Sequence, residues 1–578
     1  MYRPDLSPVA DSLALSSLVG ALPLLTLFVL LGGLRLKAHW AGLAALGVSV
    51  VVAVTAYGMP LDLALLAGTE GAAFGLFPIM WIVLAALWVY QLTVVSGRFE
   101  DLRRSFNLVS GDPRVQALII AFCFGALLEA LAGFGAPVAI TGVMLMALGF
   151  SPVRAAVTVL VANTAPVAFG AIATPIITAG SLTKIDYEEI GAYVGRQTPV
   201  LALFVPLLLV ALVDGVRGIR QTWPVALVCG AVFAAAQFVS ATWISVELTD
   251  IIASLAALAA VVGFLRVWRP VDGERVREDL RRAAEQERRE AGDEAHGEPA
   301  GETRDEATHE ARGGADGGTD TGGDRDGRRI AGPRVLMAFV PYLIVIAVFS
   351  VAKLWDPAKE FLADSDVEVS WPGLDGEVLN AAGERSTTTV YVFPWLSSPG
   401  SLLLLCGLLV AAVYRVRALD AVREFGRTVA TLRWALLTVG SVLALAYVMN
   451  LSGQTITIGT WIAGAGAAFA FFSPLLGWLG TAVTGSDTSA NALFATLQQT
   501  AAGKAGLDPT LLVAANTSGG VVGKMISPQN LTIAATAVGL VGKEAVLFRR
   551  AIAWSLLLLL VMCVLVFLQS HMLAWMLP

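Results

Sequence analysis

Long apolar stretches, separated by short polar or charged loops, follow one another along almost the whole chain. Several reach the roughly 20 residues that an α-helix needs to cross a bilayer, for example residues 13–34 and 551–568. They lack the strict alternation and turn punctuation of a membrane β-barrel. The pattern predicts an all-α polytopic membrane protein with roughly twelve to fourteen crossings, counted by the helix-length rule.

Two apolar stretches carry the same interruption. Residues 162–175 and 515–528 both read Ala-Asn-Thr, five residues, Gly, three residues, Thr or Ser, then Pro. Gly and Pro break helices, and backbone that is not helical is tolerated at membrane depth only inside protein or beside a water-filled cavity. Matching interruptions in two halves of a transporter point to its binding site near the bilayer midplane. We therefore predict two inverted repeats built from broken helices or re-entrant hairpins.

Each half contains a second interruption, so that four broken elements are predicted. In the first half it follows Glu129, and in the second half it precedes Asn491. The residues predicted to break the backbone are Gly133, Gly135, Pro137, Gly170, Pro175, Gly485, Gly519, Gly520, Gly523 and Pro528.

Polar side chains cluster at these interruptions and are predicted to bind a small carboxylate. Free backbone N–H groups at the ends of half-helices suit an anion. The predicted substrate-binding residues are Asn163, Thr164, Ser486, Thr488, Ser489, Asn516, Thr517, Ser518 and Lys524. Hydrogen bonds that merely join helices are the alternative role for the Ser, Thr and Asn residues.

Lys524 is the cation within these interruptions. A lysine at membrane depth is costly unless it is paired or faces water, which marks it as a functional candidate. It either binds the substrate carboxylate or pairs with Asp487 or Glu129. These two acids are the candidate carriers of a coupled proton, since burial raises the pKa of a carboxyl group.

Sequence motifs of enzymes are absent: there is no H-E-x-x-H, G-x-S-x-G or paired C-x-x-C. The four cysteines, Cys123, Cys229, Cys406 and Cys563, each stand alone in an apolar stretch. We expect neither an enzyme nor a metal or cofactor site. The net charge of −6 argues against a nucleic-acid partner.

Composition changes abruptly in the middle of the chain, where residues 269–332 are rich in Glu, Asp, Arg and Gly. They are predicted to be a disordered cytoplasmic linker, apart from a charged helix near 274–290. It separates an N-terminal transmembrane half, 1–268, from a C-terminal half, 333–578. Basic residues place the loops at 35–37, 98–114, 217–220 and 415–433 in the cytoplasm. The loops at 247–250 and 353–391 then lie outside, the latter with a short hairpin near 387–393.

The sequence resembles the L-lactate permease family of bacterial and archaeal carriers over nearly its whole length. The matching stretches are 70–78, 133–140, 162–170, 472–480, 484–489 and 514–528. The long charged linker is a departure from that family. The plan is also similar to that of the ion-transporter superfamily, with inverted repeats and re-entrant hairpins.

This resemblance implies uptake of L-lactate, glycolate and similar small 2-hydroxymonocarboxylates across the cell membrane, by proton symport. A sodium-coupled carrier of another organic anion is the alternative, because carbonyl groups freed at the breaks also suit Na⁺. A membrane receptor or scaffold is a third hypothesis, which the matching interruptions in the two halves do not favour. The expected partners are the monocarboxylate, H⁺ or Na⁺ and the bilayer, and a homo-oligomer is left open.

Overall fold

A computed structural model describes residues 1–107, 110–133, 135–295, 332–379, 383 and 385–578. Helices dominate these residues, as predicted. The α-helices are α1 (Leu13–Gly20), α2 (Leu22–Phe28), α3 (Ala38–Thr55), α4 (Leu61–Phe74), α5 (Trp81–Val95), α6 (Arg98–Asn107), α7 (Pro113–Ala117), α8 (Gly125–Ala132), α9 (Ala136–Ala147), α10 (Pro152–Ala162), α11 (Gly170–Thr183), α12 (Tyr187–Val194), α13 (Thr198–Trp243), α14 (Thr249–Phe264), α15 (Gly273–Ala295), α16 (Gly332–Leu354), α17 (Asp356–Asp364), α18 (Pro399–Val413), α19 (Ala418–Ser452), α20 (Gln454–Ile462), α21 (Phe469–Thr484), α22 (Asp487–Ala505), α23 (Pro509–Gly523), α24 (Pro528–Ala537) and α25 (Glu544–Gln569).

Shorter turns of helix join several of these. They are π-helical at Val29–Gly33, Gly75–Met80 and Leu118–Phe124, and 3-10 at Val167–Phe169, Thr387–Thr389, Ala463–Ala468, Lys524–Ile526 and Ala574–Met576. Two strands, β1 (Val367–Ser370) and β2 (Val390–Phe393), pair antiparallel in the loop between α16 and α18. The short hairpin predicted there is present, and its first strand lies upstream of the predicted segment.

Nine helices of the described residues are long and apolar enough to cross a membrane, or ten with the bent pair α10 and Val167–Thr183. This is fewer than the predicted twelve to fourteen. Part of the difference comes from α13, whose 46 residues contain a sharp kink at Asp214 and Gly215. At 1.5 Å per residue it is about 69 Å long, enough for two crossings. The apolar helices α9, α14 and α18 fall below the length required.

The two halves of the sequence interlock within a continuous apolar core. Helix α19 of the second half packs against α3 and α4 of the first, and α18 packs against α5. Cys123 lies in the π-helical segment Leu118–Phe124 and Cys229 in α13, and their Sγ atoms are 3.6 Å apart although each cysteine stands alone in the sequence.

Ion pairs bring together loops that the sequence assigns to the same side. Among those predicted in the cytoplasm, buried Arg114 contacts Asp214 at 3.1 Å, and Arg217 contacts Asp279 of α15 at 3.0 Å. On the other side, Lys353 contacts Glu247 at 3.0 Å. Each of these contacts joins segments that are predicted to share one side of the membrane.

The charged helix predicted near residues 274–290 is present as α15, and it packs against the rest of the protein. Its residues Val276 and Leu280 are buried, and Arg277 donates a hydrogen bond to the carbonyl oxygen of Gly111. The spacing of four residues places both apolar side chains on one face of the helix. Residues 296–331, the rest of the predicted linker, lie outside the described residues.

This docking changes what a deletion in the linker should do. Replacing residues 296–328 by a Gly/Ser spacer should leave uptake and thermal stability unchanged. Replacing residues 272–328 should lower the melting temperature, since each buried Val or Leu contributes about 1.5–3 kcal/mol. Both variants can be compared by thermal unfolding in detergent. Equal melting temperatures for the two deletions would contradict a stabilising role for α15.

Candidate functional site

A small, partly open cavity lies where the broken elements meet. It is lined by Glu129, Gly133, Gly135, Val167, Gly170, Ala171, Pro175, Gly485, Ser486, Asp487, Thr488, Lys524, Gln529 and Asn530. All four interruptions predicted from the sequence contribute to this lining. A second recess beside it is lined by Val138, Leu160, Asn163, Thr164, Val521, Lys524, Met525 and Asn530. Lys524 and Asn530 belong to both.

The first hairpin turns at the cavity. Helix α8 ends at Ala132, and α9 begins after Gly135, whose φ of 88° is left-handed and favours glycine. Pro137 stands in the first turn of α9, where its missing N–H is not needed. The predicted interruption is therefore present, although Phe134 itself lies outside the described residues. Glu129 is placed one turn before the end of α8 and is 1% exposed.

The second interruption separates α10 from α11 and bends the chain by 65°. Asn163 follows the last residue of α10, and Gly170 has extended backbone with ψ of 155°. Ala171, Ile172 and Ala173 then adopt positive φ angles of 45°, 55° and 56°. Left-handed backbone is unfavourable for residues with a side chain and is kept only where the surroundings enforce it. The strain lies beside the cavity, and Pro175 follows it within α11.

In the second half, Gly485 ends α21 with a left-handed φ of 80°, and α22 starts directly at the cavity. The Ser486 hydroxyl caps α22 by accepting a hydrogen bond from the backbone N–H of Ser489 at 3.3 Å. Asp487 and Thr488 occupy the first turn and line the cavity. The Asp487 Oδ1 atom lies 3.3 Å from the Thr481 hydroxyl, and its Oδ2 has no partner among the described residues.

Lys524 pairs with Glu129 across the two halves of the sequence. Its ammonium group donates hydrogen bonds to the Glu129 carboxylate and, at 3.1 Å, to the carbonyl oxygen of Gly133. That carbonyl belongs to the end of α8, where the helix dipole is negative. Both side chains are buried. Of the pairings predicted for Lys524, the structure shows the one with Glu129 and not the one with Asp487.

Glycine makes this approach feasible. A Cβ atom on Gly133 or Gly170 would lie 3.0 Å from the Glu129 Oε1 atom. Both distances are shorter than an ordinary van der Waals contact. The two breaks of the first half therefore close around Glu129 because neither has a side chain at these positions.

The second Ala-Asn-Thr motif is arranged differently from the first. Asn516, Thr517, Ser518, Gly519 and Gly520 all lie inside the regular helix α23. The prediction that Gly519 and Gly520 break the backbone is therefore wrong, and the break lies between Gly523 and Pro528. A Cβ on Gly519 would lie 2.0 Å from the carbonyl oxygen of Pro474, and one on Gly520 would lie 1.9 Å from Asp487 Oδ1. These glycines serve close helix packing.

Several predicted substrate-binding residues do not line the cavity. The Asn516 amide donates to Asn491 Oδ1 at 2.8 Å, and the Thr517 hydroxyl bonds to the same side chain. Asn491 also donates to the carbonyl oxygen of Pro175 in α11 at 3.0 Å. The motif thus joins α22, α23 and α11, which is the helix-joining alternative. Ser489 and Ser518 are buried outside the lining as well.

Gln529 and Asn530 line the cavity and were not predicted. Asn530 Nδ2 donates to the Lys524 carbonyl oxygen at 3.0 Å and so fixes the turn that carries the lysine. Both follow Pro528 directly, so their position after a predicted break was the available signal. Asp250, assigned by sequence to an outside loop, instead lies fully buried in the first turn of α14.

Comparison with known proteins identifies the family of the chain. The profile of the L-lactate permease family matches residues 16–573. The chain belongs to the L-lactate permease family. The L-lactate permease of Bacillus subtilis is 40% identical over 99% of both chains. In Escherichia coli, the glycolate permease GlcA is 41% identical over 100% of this chain and 99% of its own, and the L-lactate permease is 41% identical over 100% of both.

Family membership makes this chain a permease and not an enzyme, and a multi-pass protein of the cell membrane, as predicted. Among solved structures, the YdaH transporter of Alcanivorax borkumensis matches 88% of both chains at 13% identity, with a TM-score of 0.44. That similarity is too low to support statements about this member of the lactate permease family.

Proposed function

We propose that this permease takes up L-lactate and glycolate by proton symport, and that Lys524 binds the substrate carboxylate. The observation that carries the proposal is the buried Lys524–Glu129 pair in the wall of a cavity built from all four breaks. Full-length relatives named L-lactate and glycolate permeases support the substrate class. Proton coupling follows from the chemistry of the pair.

Lactate and Glu129 are competing carboxylates for one ammonium group. When lactate binds Lys524, Glu129 loses its cation while remaining 1% exposed. A buried carboxylate without a partner is costly and is relieved by taking up a proton. Binding of one lactate anion therefore brings one proton to Glu129, and the loaded site carries no additional charge. Lowering the pH should accordingly increase lactate affinity.

The remaining lining residues suit the rest of a 2-hydroxy acid. Ser486 and Thr488 present hydroxyl groups, and the free N–H groups of the first turn of α22 face the same space. A helix N-terminus favours an anion, so this turn and Lys524 together can hold a carboxylate from two sides. Asn163 and Thr164 in the adjoining recess remain candidates for the substrate hydroxyl.

Contacts at the end of α11 and at the start of α23 support the proposal of inverted repeats. The carbonyl oxygen of Thr183, at the end of α11, accepts a hydrogen bond from Gln499 near the end of α22. Asp508, which caps the start of α23, accepts one from Tyr193 in α12. Helix α11 thus ends on the side of the protein where α23 begins.

The proposal is tested with purified protein in liposomes. Labelled L-lactate should accumulate under an inward proton gradient and not under an inward sodium gradient at equal pH. Unlabelled glycolate should compete, and acetate, which lacks the hydroxyl group, should compete poorly. Accumulation driven by sodium alone would establish the sodium-coupled alternative.

Asp487 is the second candidate proton carrier, and Asp487→Asn separates it from Glu129. The asparagine side chain has nearly the same shape, so it fits beside Gly520. If Glu129 carries the proton, accumulation driven by a pH gradient should persist in this variant. Loss of accumulation with intact exchange of internal for external lactate would assign the proton to Asp487 instead.

A further inference from the structure

The carbonyl oxygen of Ala165 lies in the second interruption, where α10 has ended and backbone groups have lost their helical partners. It accepts a hydrogen bond at 3.3 Å from Nε2 of Gln237, a fully buried residue of α13. Unpaired backbone groups are costly in a membrane interior. This contact from a distant helix therefore fixes the backbone next to Asn163 and Thr164.

Gln237 is itself held at both ends of its amide group. The second contact of Nε2 is with Asp250 Oδ1 at 3.3 Å, and Oε1 lies 3.3 Å from the Thr198 hydroxyl, whose single hydrogen is shared with the Val194 carbonyl oxygen at 3.1 Å. The two hydrogens of Nε2 can serve Ala165 and Asp250 separately. Asp250 is fully buried, and its Oδ2 has no partner among the described residues. Without a cation in contact, such an acid is expected to hold its proton.

Asp250 forms no ion pair among the residues that the structure describes. Helix α14 packs against α13, α8 and the π-helical segment Leu118–Phe124. Glu129 and Lys524 pair with each other, and Glu247, three residues before Asp250, is bound to Lys353. Arg196, whose guanidinium lies over the Phe238 ring of α13, donates hydrogen bonds to the Ala192 carbonyl oxygen and the Thr242 hydroxyl.

We propose that Gln237, together with a neutral Asp250, is a positioning residue for the interruption between α10 and α11, and that lactate affinity depends on this bridge although neither side chain lines the cavity. The bridge holds the Ala165 carbonyl, and the segment that follows carries Val167, Gly170 and Ala171 into the cavity wall. The inference rests on the proposed uptake of lactate.

The first test replaces Gln237 by methionine, which has similar volume and cannot donate. Gln237→Met should raise the KM for lactate about tenfold, the effect of one or two lost hydrogen bonds, with a smaller change in kcat. Peptides covering residues 163–170 should exchange backbone hydrogen for deuterium faster. Gln197→Met is the matched control: Gln197 is equally buried beside α13 and bonds Gln569. It should leave KM and exchange near residues 163–170 unchanged.

The second test addresses the charge of Asp250. Asp250→Asn keeps an oxygen that accepts from Gln237, so it should behave as the wild type in KM and in accumulation driven by a pH gradient. Asp250→Leu removes the acceptor and should reproduce the rise in KM seen with Gln237→Met. Loss of accumulation in Asp250→Asn would make Asp250 a proton carrier and overturn its neutral role.

Unchanged KM and hydrogen exchange in a well-folded Gln237→Met protein would overturn the proposal. If that variant does not assemble, Asp250→Leu decides, because it leaves Gln237 in place but removes the acceptor that orients its amide group. An unchanged KM in Asp250→Leu would then count against the bridge. Failure of the wild type to take up lactate would refute the proposed function, whereas the hydrogen-exchange comparison would still report on the bridge.

Discussion

Lys524→Met should weaken lactate binding by at least about tenfold and leave little uptake at low substrate concentration. The reason is the loss of a charge-assisted hydrogen bond in a buried site, a contact that contributes about 1.5–3 kcal/mol. Lys524→Arg should also bind poorly, because a planar guanidinium does not replace a compact ammonium at this turn. Binding can be measured as the lactate concentration that gives half-maximal counterflow in liposomes.

Lys504→Met provides the matched control, since Lys504 is exposed near the end of α22, away from the cavity. It should leave affinity unchanged. Lys524→Met also leaves Glu129 without its cation, which can impair folding. The double variant Lys524→Met/Glu129→Leu should then recover expression without recovering binding. Normal lactate affinity in a well-expressed Lys524→Met protein would eliminate the proposed role of Lys524.

Glu129→Gln should abolish accumulation of lactate under a pH gradient while exchange across the membrane continues. The amide keeps the size of the side chain. It cannot take up the proton that neutralises Glu129 in the wild type when lactate binds Lys524. It also removes the competing carboxylate, so lactate binding should tighten and lose its dependence on pH. Added lactate should therefore raise the melting temperature more in this variant than in the wild type, since stabilisation by a ligand grows with its affinity.

Glu70→Gln is the control for this experiment. Glu70 is also fully buried, but it lies in α4 and does not line the cavity. Uptake driven by the pH gradient should persist in it. Wild-type accumulation by Glu129→Gln would remove Glu129 from proton coupling and leave Asp487 as the remaining candidate.

Much of the architecture could be read from the sequence, because the bilayer restricts what each pattern can become. Apolar stretches of sufficient length form helices, and the Gly/Pro interruption at 133–137 marks a real turn. The turn before Asp487 was predictable for the same reason, since Gly485 ends α21 in the left-handed conformation. The local residue types determine these helices and turns, so both can be predicted from the sequence.

Tertiary structure decided the roles of residues whose local sequence was ambiguous. The two Ala-Asn-Thr motifs match in letters, yet Asn163 follows the end of a helix and Asn516 lies within one. At Gly519 and Gly520 the absence of a side chain serves packing against Pro474 and Asp487, which only the neighbouring helices reveal.

The partner of Lys524 likewise depended on which helices meet. Asp487 is closer in sequence, but the lysine reaches Glu129 because the end of α8 and the turn after α23 converge on one cavity. The Gln237–Asp250 bridge joins residues of α13 and α14 to a break in another element, so no local pattern could show it. The sequence by itself determined the helices, most of their interruptions and the family. Long-range packing determined which polar groups face the cavity, because contacts between distant segments leave no local periodicity.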